Sequence, residues 1–207
     1  MTLIIVIITS LVSVLSFYND TLMSRLIFNP YQVYHRKELW RLLTHGFLHA
    51  DWVHLIINMI VLYSFGKNIE MWLNQLRIED YLNSPALTYL FLYIGGVIVA
   101  SLPTLIKHRN NYMYNSVGAS GAVSAIVFTS IFFSPLQKIY FFGLLPVPGI
   151  IFAVIYLIYS SYMSRRGGDN INHEAHFAGA VFGFIYPVFI DFDLVSHFVN
   201  SFSVIGK

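Results

Sequence analysis

Ser120 lies in Gly118-Ala119-Ser120-Gly121 and His176 in Ala175-His176-Phe177-Ala178-Gly179, each at the start of an apolar stretch. A hydroxyl beside an imidazole is a nucleophile beside its general base, the pair needed to split an acyl bond in two steps. His54 and Asn58 are four apart, so on a helix they share one face and offer two side-chain donors. Amide hydrolysis builds negative charge on the carbonyl oxygen, and a donor aimed at that oxygen contributes about 10²- to 10³-fold. Each residue also has a plainer role. A serine in an apolar helix ordinarily bonds its own backbone or a neighbouring helix, and that reading suits Ser124. Around Ser120, however, Gly118, Ala119, Gly121, Ala122 and Ala125 leave little bulk. Gly179 and Gly183 follow His176 by three and seven residues, on the same helical face, so two backbones could approach closely there.

The elements that must position these groups are spans of a bilayer. Of 207 residues 57% are hydrophobic and only 11% charged, against about 25% charged in an ordinary soluble domain. Roughly 20 apolar residues cross the hydrocarbon core, and about 17 suffice. Six stretches qualify, at about 3–18, 49–66, 86–106, 116–133, 146–163 and 175–190, giving an all-α, polytopic membrane protein with a single domain over 1–207. In such a chain the second, fourth and sixth spans run in one direction. The first turns carrying His49, His54 and Asn58, then Ser120, then His176 therefore meet at one membrane face, with Ser120 on the order of 6 Å inside its helix. Residues 19 to 45 mix Arg25, Arg36, Lys37, Glu38, Trp40 and Arg41 with apolar side chains, as expected of a segment lying in the interface. The tail from Asp191 to Lys207 has apolar residues at roughly helical spacing and is expected to lie there too. A net charge of +2 gives no sign of a nucleic-acid partner, and with no cysteine there is no disulfide, thiolate metal site or cysteine nucleophile.

Taken in order, Trp40-Arg41, His54 with Asn58, Gly118-Ala119-Ser120-Gly121 and Ala175-His176-x-x-Gly179-x-x-x-Gly183 resemble the motifs of the rhomboid family of intramembrane serine proteases, along essentially the whole chain. The resemblance implies a six-helix bundle with a long interfacial first loop and a Ser-His dyad without a third acid. Ser120 would attack the scissile carbonyl and His176 would take and return the proton. His54, Asn58 and the Ser120 backbone amide would form the oxyanion hole. Glu70 matches a position that helps hold the bundle. No cofactor or ATP is implied. The substrate would be another membrane protein's transmembrane segment, entering from the bilayer between the second and fifth spans, with the loop after the fifth span as a cap. One departure stands out: many members carry an aromatic residue four positions after the serine, where its ring packs on the histidine, and here that residue is Ser124. Either another ring supports His176, Phe177 or a tyrosine from another span, or the orientation of His176 is less firmly fixed.

The family orientation puts the amino terminus in the cytosol. Lys67, Arg77, Lys138 and Lys207 would then be inside, and eight basic residues outside: Arg25, Arg36, Lys37, Arg41, Lys107, Arg109, Arg165 and Arg166. The positive-inside rule alone chooses the reverse; we follow the family because four of the dissenting charges sit in the interfacial segment. A chain that opens on its first span, with no transit peptide, is expected in a bacterial plasma membrane. Oligomeric state is not legible. Among rivals, a metal site at His45, His49, His54, His173 and His176 is disfavoured, because His173-Glu174-Ala175-His176 is one residue short of the zinc-protease H-E-x-x-H spacing. An aspartyl intramembrane protease lacks its paired aspartates. A catalytically dead relative would ordinarily have lost the serine or the histidine.

Overall fold

The computed structural model describes residues 1–141, 144–169 and 171–203, so Lys207 and the end of the tail lie outside the described residues. The chain is mostly helical. Six longer helices carry it: α1 (Thr2–Phe17), α5 (Trp52–Ile78), α6 (Pro85–His108), α7 (Ser120–Phe133), α8 (Gly149–Arg166) and α9 (His173–Ile190). Between α1 and α5 come α2 (Asp20–Leu26), α3 (Pro30–Arg36), α4 (Arg41–Thr44) and a 3-10 turn at His45–Phe47, and after α9 comes α10 (Leu194–Asn200). Strands β1 (Lys138–Phe141) and β2 (Leu145–Pro148) form an antiparallel hairpin between α7 and α8.

The surface is inside-out by the standards of a soluble protein. Helix α1 buries Thr2, Thr9, Ser13 and Ser16 and exposes Leu3, Ile4, Ile7, Ile8, Leu11 and Leu15. On α8, Ile151, Val154, Ile155 and Ile158 also face outward. Water-soluble proteins rarely show apolar patches on this scale, and small polar residues at helix contacts with aliphatic residues outside is the arrangement suited to lipid. Among the described residues α6 alone is both long and apolar enough to cross a membrane unaided. Residues Arg41–Phe47 with α5, and α9 with α10, reach that length only as pairs bent by 94° and 117°, while α1 and α7 are shorter apolar helices.

Helix α7 is the axle. Every residue from Gly121 to Phe133 is buried, as befits a helix that is apolar all round. It touches α6 and α9 through small residues. A Cβ on Gly96 would lie 3.0 Å from Ala122 Cα, and one on Gly121 would lie 2.3 Å from Ala100 Cβ. The tightest seam is with α9, where a Cβ on Gly179 or Gly183 would fall 2.1 Å from the carbonyl oxygen of Gly121 or Ala125, inside any permissible contact.

Several boundaries differ from those read in the sequence. Helix α7 starts at Ser120, not near 116, so the serine occupies its first position instead of standing a turn inside. The cause is Gly118, at φ +127°, together with Ser116, which is paired to Phe28 in an isolated bridge. Helix α5 starts after His49 and continues to Ile78, because the polar half beyond Gly66 still buries Ile69, Leu73 and Leu76 at helical spacing. Residues 145–148 belong to the hairpin, which delays α8 to Gly149. Helix α9 starts at His173, which puts His176 at its fourth position.

The stretch from 19 to 45 is folded around one cation. Arg41, 5% exposed, donates to Glu38 Oε2 (2.6 Å) and to the carbonyls of Ser24 and Ile27 (both 2.8 Å). Asn29 caps α3 through Gln32 N (2.9 Å) and donates to Tyr112 O (3.0 Å) and Asn115 Oδ1 (3.1 Å). This segment thereby braces the strand-like residues that lead into Ser120.

Candidate active site

The first amides of a helix have no intrahelical acceptor, so the Ser120 end of α7 presents N–H groups with a partial positive charge. Helix α5 brings His54 to the same point: a Cβ on Gly118 would lie 2.9 Å from His54 Cε1, 3.2 Å from its Nε2 and 3.6 Å from Ser120 Oγ. Gly118 is therefore required twice, by its positive φ and by the imidazole edge that fills the space of a side chain. Asp51 caps α5 by accepting from His54 N (2.8 Å), and the Ala50 N–H donates to His54 Nδ1 (3.4 Å). A ring whose Nδ1 accepts carries its proton on Nε2, the nitrogen that faces Gly118. His49 sits edge-on to His54, with ring centroids 4.9 Å apart. Ser13, which donates to Phe47 O (2.8 Å), is in turn 2.9 Å from His49 Nδ1. Asn58, one turn along α5 and buried, gives one amide hydrogen to His54 O (2.9 Å) and keeps the other.

Helix α9 delivers the imidazole through the glycine seam. Gly179 rests on the Gly121 carbonyl, and the carbonyl oxygen of Ala175 lies 3.6 Å from where a Cβ on Gly121 would be. The start of α9 is fixed by Asn172, which accepts from Ala175 N (3.1 Å) and donates to Thr104 Oγ1 (2.9 Å), and by an ion pair of Glu174 with Lys107. His173, buried, bonds Asp169 Oδ2 through Nε2 (3.0 Å). That bond holds the Asp169 carboxyl below its ordinary range. The half-buried His176 has the Tyr156 ring of α8 nearly parallel to it, at 6.5 Å and 20°. The side chains of Ser120 and His176 make no hydrogen bond among the described residues, and bonds of this kind in hydrolases commonly tighten only with substrate bound.

Beside Ser120 is a small, partly open cavity of about 20 Å³, bordered by His45, Ser101, Ser116, Gly118 and Asn172. About 10–15 Å³ of such space accommodates one water where polar partners are at hand. Among the described residues no three His, Asp or Glu side chains converge in a way that could hold a metal ion.

The first turns of α5, α7 and α9 thus do meet, bringing Ser120, His54, Gly118 and the Gly121–Gly179 contact into one locality. The His45 carbonyl accepts from Gly118 N (3.1 Å), and His49 reaches the site through its edge contact with His54. Tyr156 has no signal in the sequence that separates it from Tyr159 and Tyr162 on the same helix. Phe177 makes no ring contact with His176 and is exposed.

The family profile of the rhomboid domain matches residues 36–191. The chain is similar to RHOMBOID-like protein 12, mitochondrial, of Arabidopsis thaliana, with 30% identity over 69% of this chain and 44% of that protein. A Bacillus subtilis relative named for the same family is 28% identical over 72% of this chain and 65% of its own length. Rhomboid-related protein 2 of Mus musculus is 27% identical over 76% and 51%. The chain thus spans about half to two thirds of the length of these relatives.

Proposed function

The chain belongs to the rhomboid family, whose members are embedded in membranes and act on membrane-protein substrates there, and from that premise we propose that it is an intramembrane serine endopeptidase working through Ser120 and His176. The observation that carries this reading is the convergence on Gly118 of Ser120 Oγ and the Nε2 edge of His54, at the open amide end of a buried helix. In the proposed reaction Ser120 Oγ attacks the scissile carbonyl carbon while a ring nitrogen of His176 takes the hydroxyl proton. His54 Nε2–H, the free Asn58 amide hydrogen and the Ser120 N–H receive the oxyanion. Collapse breaks the C–N bond, and His176 returns its proton to the departing amine. Water, for which the adjoining cavity has room, then attacks the acyl ester while His176 takes a proton from it; collapse breaks the bond from the carbonyl carbon to Ser120 Oγ, His176 returns its proton to that oxygen, and the carboxyl product leaves.

The six longer helices are the proposed spans of a single domain over 1–207, with the short helices α2 to α4 in the interface. At 1.5 Å per residue the 14 residues of α7 reach about 21 Å against a hydrocarbon core of about 30 Å. At least one end of α7 is then submerged, and on the proposed reading it is the Ser120 end, to which water must descend. The substrate is a transmembrane segment of another protein, locally unwound to expose its amide, and the gap between α5 and α8 is the proposed lateral entrance. Relatives named for mitochondria and chloroplasts stand beside a bacterial one, so we assign a membrane and no particular compartment.

A fluorophosphonate probe tests the nucleophile. Mass spectrometry should find the adduct on Ser120 alone, and it should vanish in Ser120→Ala; an adduct on another residue, with Ser120 unmodified, would overturn the assignment.

A further inference from the structure

Resting on the reading of Ser120 and His176 as nucleophile and base, we propose that Tyr156 and Ser124 form a clamp that holds the His176 ring in line with Ser120, α8 supplying the ring and α7 its anchor. Ser124 lies one turn beyond Ser120 on the same face of α7. It is 7% exposed, and its Oγ is 2.7 Å from the Tyr156 hydroxyl. A serine inside an apolar helix ordinarily satisfies itself on the carbonyl a turn back; this one reaches across to a different helix. The Tyr156 ring is further bracketed by Phe128 (5.4 Å) and Phe152 (5.7 Å). Its position is therefore set from three directions before it meets His176.

The imidazole lies nearly parallel to that ring on one side, within the range of offset stacking. On another it meets His173 edge-on at 6.0 Å, and His173 is itself fixed by Asp169 and by the edge of Tyr159 at 5.5 Å. Rotation of the His176 ring out of line would break the parallel contact with Tyr156. The residue four after the nucleophile is thus not a gap in the site. A small hydroxyl there leaves room for a ring from α8 and supplies the bond that orients it. Tyr156 and Ser124 are positioning residues, since neither needs to touch the substrate.

The test is steady-state cleavage of a spanning reporter, together with the rate of fluorophosphonate labelling, using the full chain in proteoliposomes. Tyr156→Leu should lower kcat and the labelling rate on the order of 10²-fold, the loss typical of a misplaced catalytic group, with KM unchanged. Tyr156→Phe keeps the ring and should recover most of that loss. Tyr156→Phe and Ser124→Ala should each cost roughly two- to tenfold, the worth of one hydrogen bond. Their combination should be no worse than either alone, because both delete the same bond. A Tyr156→Leu protein with wild-type kcat, or losses in the double variant that multiply, would overturn the clamp. Should Tyr156→Leu fail to fold, the milder cycle decides. Ser120→Ala separates the two ideas: if it still cleaves, the nucleophile assignment fails, whereas an inactive Ser120→Ala beside a fully active Tyr156→Leu sinks the clamp alone.

Discussion

The α7–α9 seam and helix α8 flank the same imidazole and are built on opposite terms. In the seam, backbone rests on backbone: Gly179 and Gly183 lie against the carbonyls of Gly121 and Ala125 with no room for a methyl group. Helix α8 buries only Gly149, Ala153 and Ser160, and most of its surface faces outward. On the proposed reading of His176 as the base, the seam fixes where that base stands and α8 contributes the ring that turns it. Placement is thus assigned to contacts that tolerate nothing, and orientation to a side-chain bond between helices that can be tuned one atom at a time.

The sharpest way to break that contrast is to add bulk to the seam. Gly183→Val should leave little folded, active enzyme, read by thermal unfolding in detergent and by reporter cleavage. A variant of wild-type stability would show that the helices are not pressed together there. Removing a donor from the third wall of the site should act on chemistry without touching the seam. His54→Ala is expected to lower kcat by about 10²- to 10³-fold with the unfolding temperature preserved, and unchanged turnover would exclude an oxyanion role. Gly183→Ala is the milder form of the first experiment; its single methyl would meet the Ala125 carbonyl oxygen at 2.1 Å, so the destabilisation, measured by chemical denaturation, should be at or above the about 1–3 kcal/mol typical of overpacking. On α8 the equivalent perturbation should be nearly silent: Ile155→Ala, on the exposed face, is expected within about 0.5 kcal/mol of wild type. A large loss there would mean that α8 is packed as firmly as the seam. Comparably small is the effect expected at the ion pair at the start of α9. Lys107→Ala should cost at most about 1 kcal/mol, since both partners are partly exposed.

Much of this was legible in the sequence because it depends on local pattern. Hydropathy locates all six longer helices, and the glycines at 179 and 183 mark the seam, since close backbone approach needs the same residue type wherever it occurs. The boundaries were harder. Hydropathy stops at Gly66 although α5 continues, because a polar half-helix keeps its buried stripe at Ile69, Leu73 and Leu76. The strands at 138–141 and 145–148 carry no clear hairpin signal in the sequence, being short and apolar with two prolines in the second. The start of α7 turned on Gly118 adopting φ +127°, which composition does not reveal. The partner of His176 was the least legible of all. Tyr156 is one of three tyrosines on α8, and only the fold sets it against His176 and within bonding distance of Ser124. A packing relation between distant segments leaves no periodic trace.

The most direct trial of the central claim is cleavage of a transmembrane reporter in proteoliposomes by wild type, Ser120→Ala and His176→Ala, each verified to be folded. The account predicts cleavage by the wild type and none above background by either variant; cleavage that survives in a folded Ser120→Ala protein would contradict it.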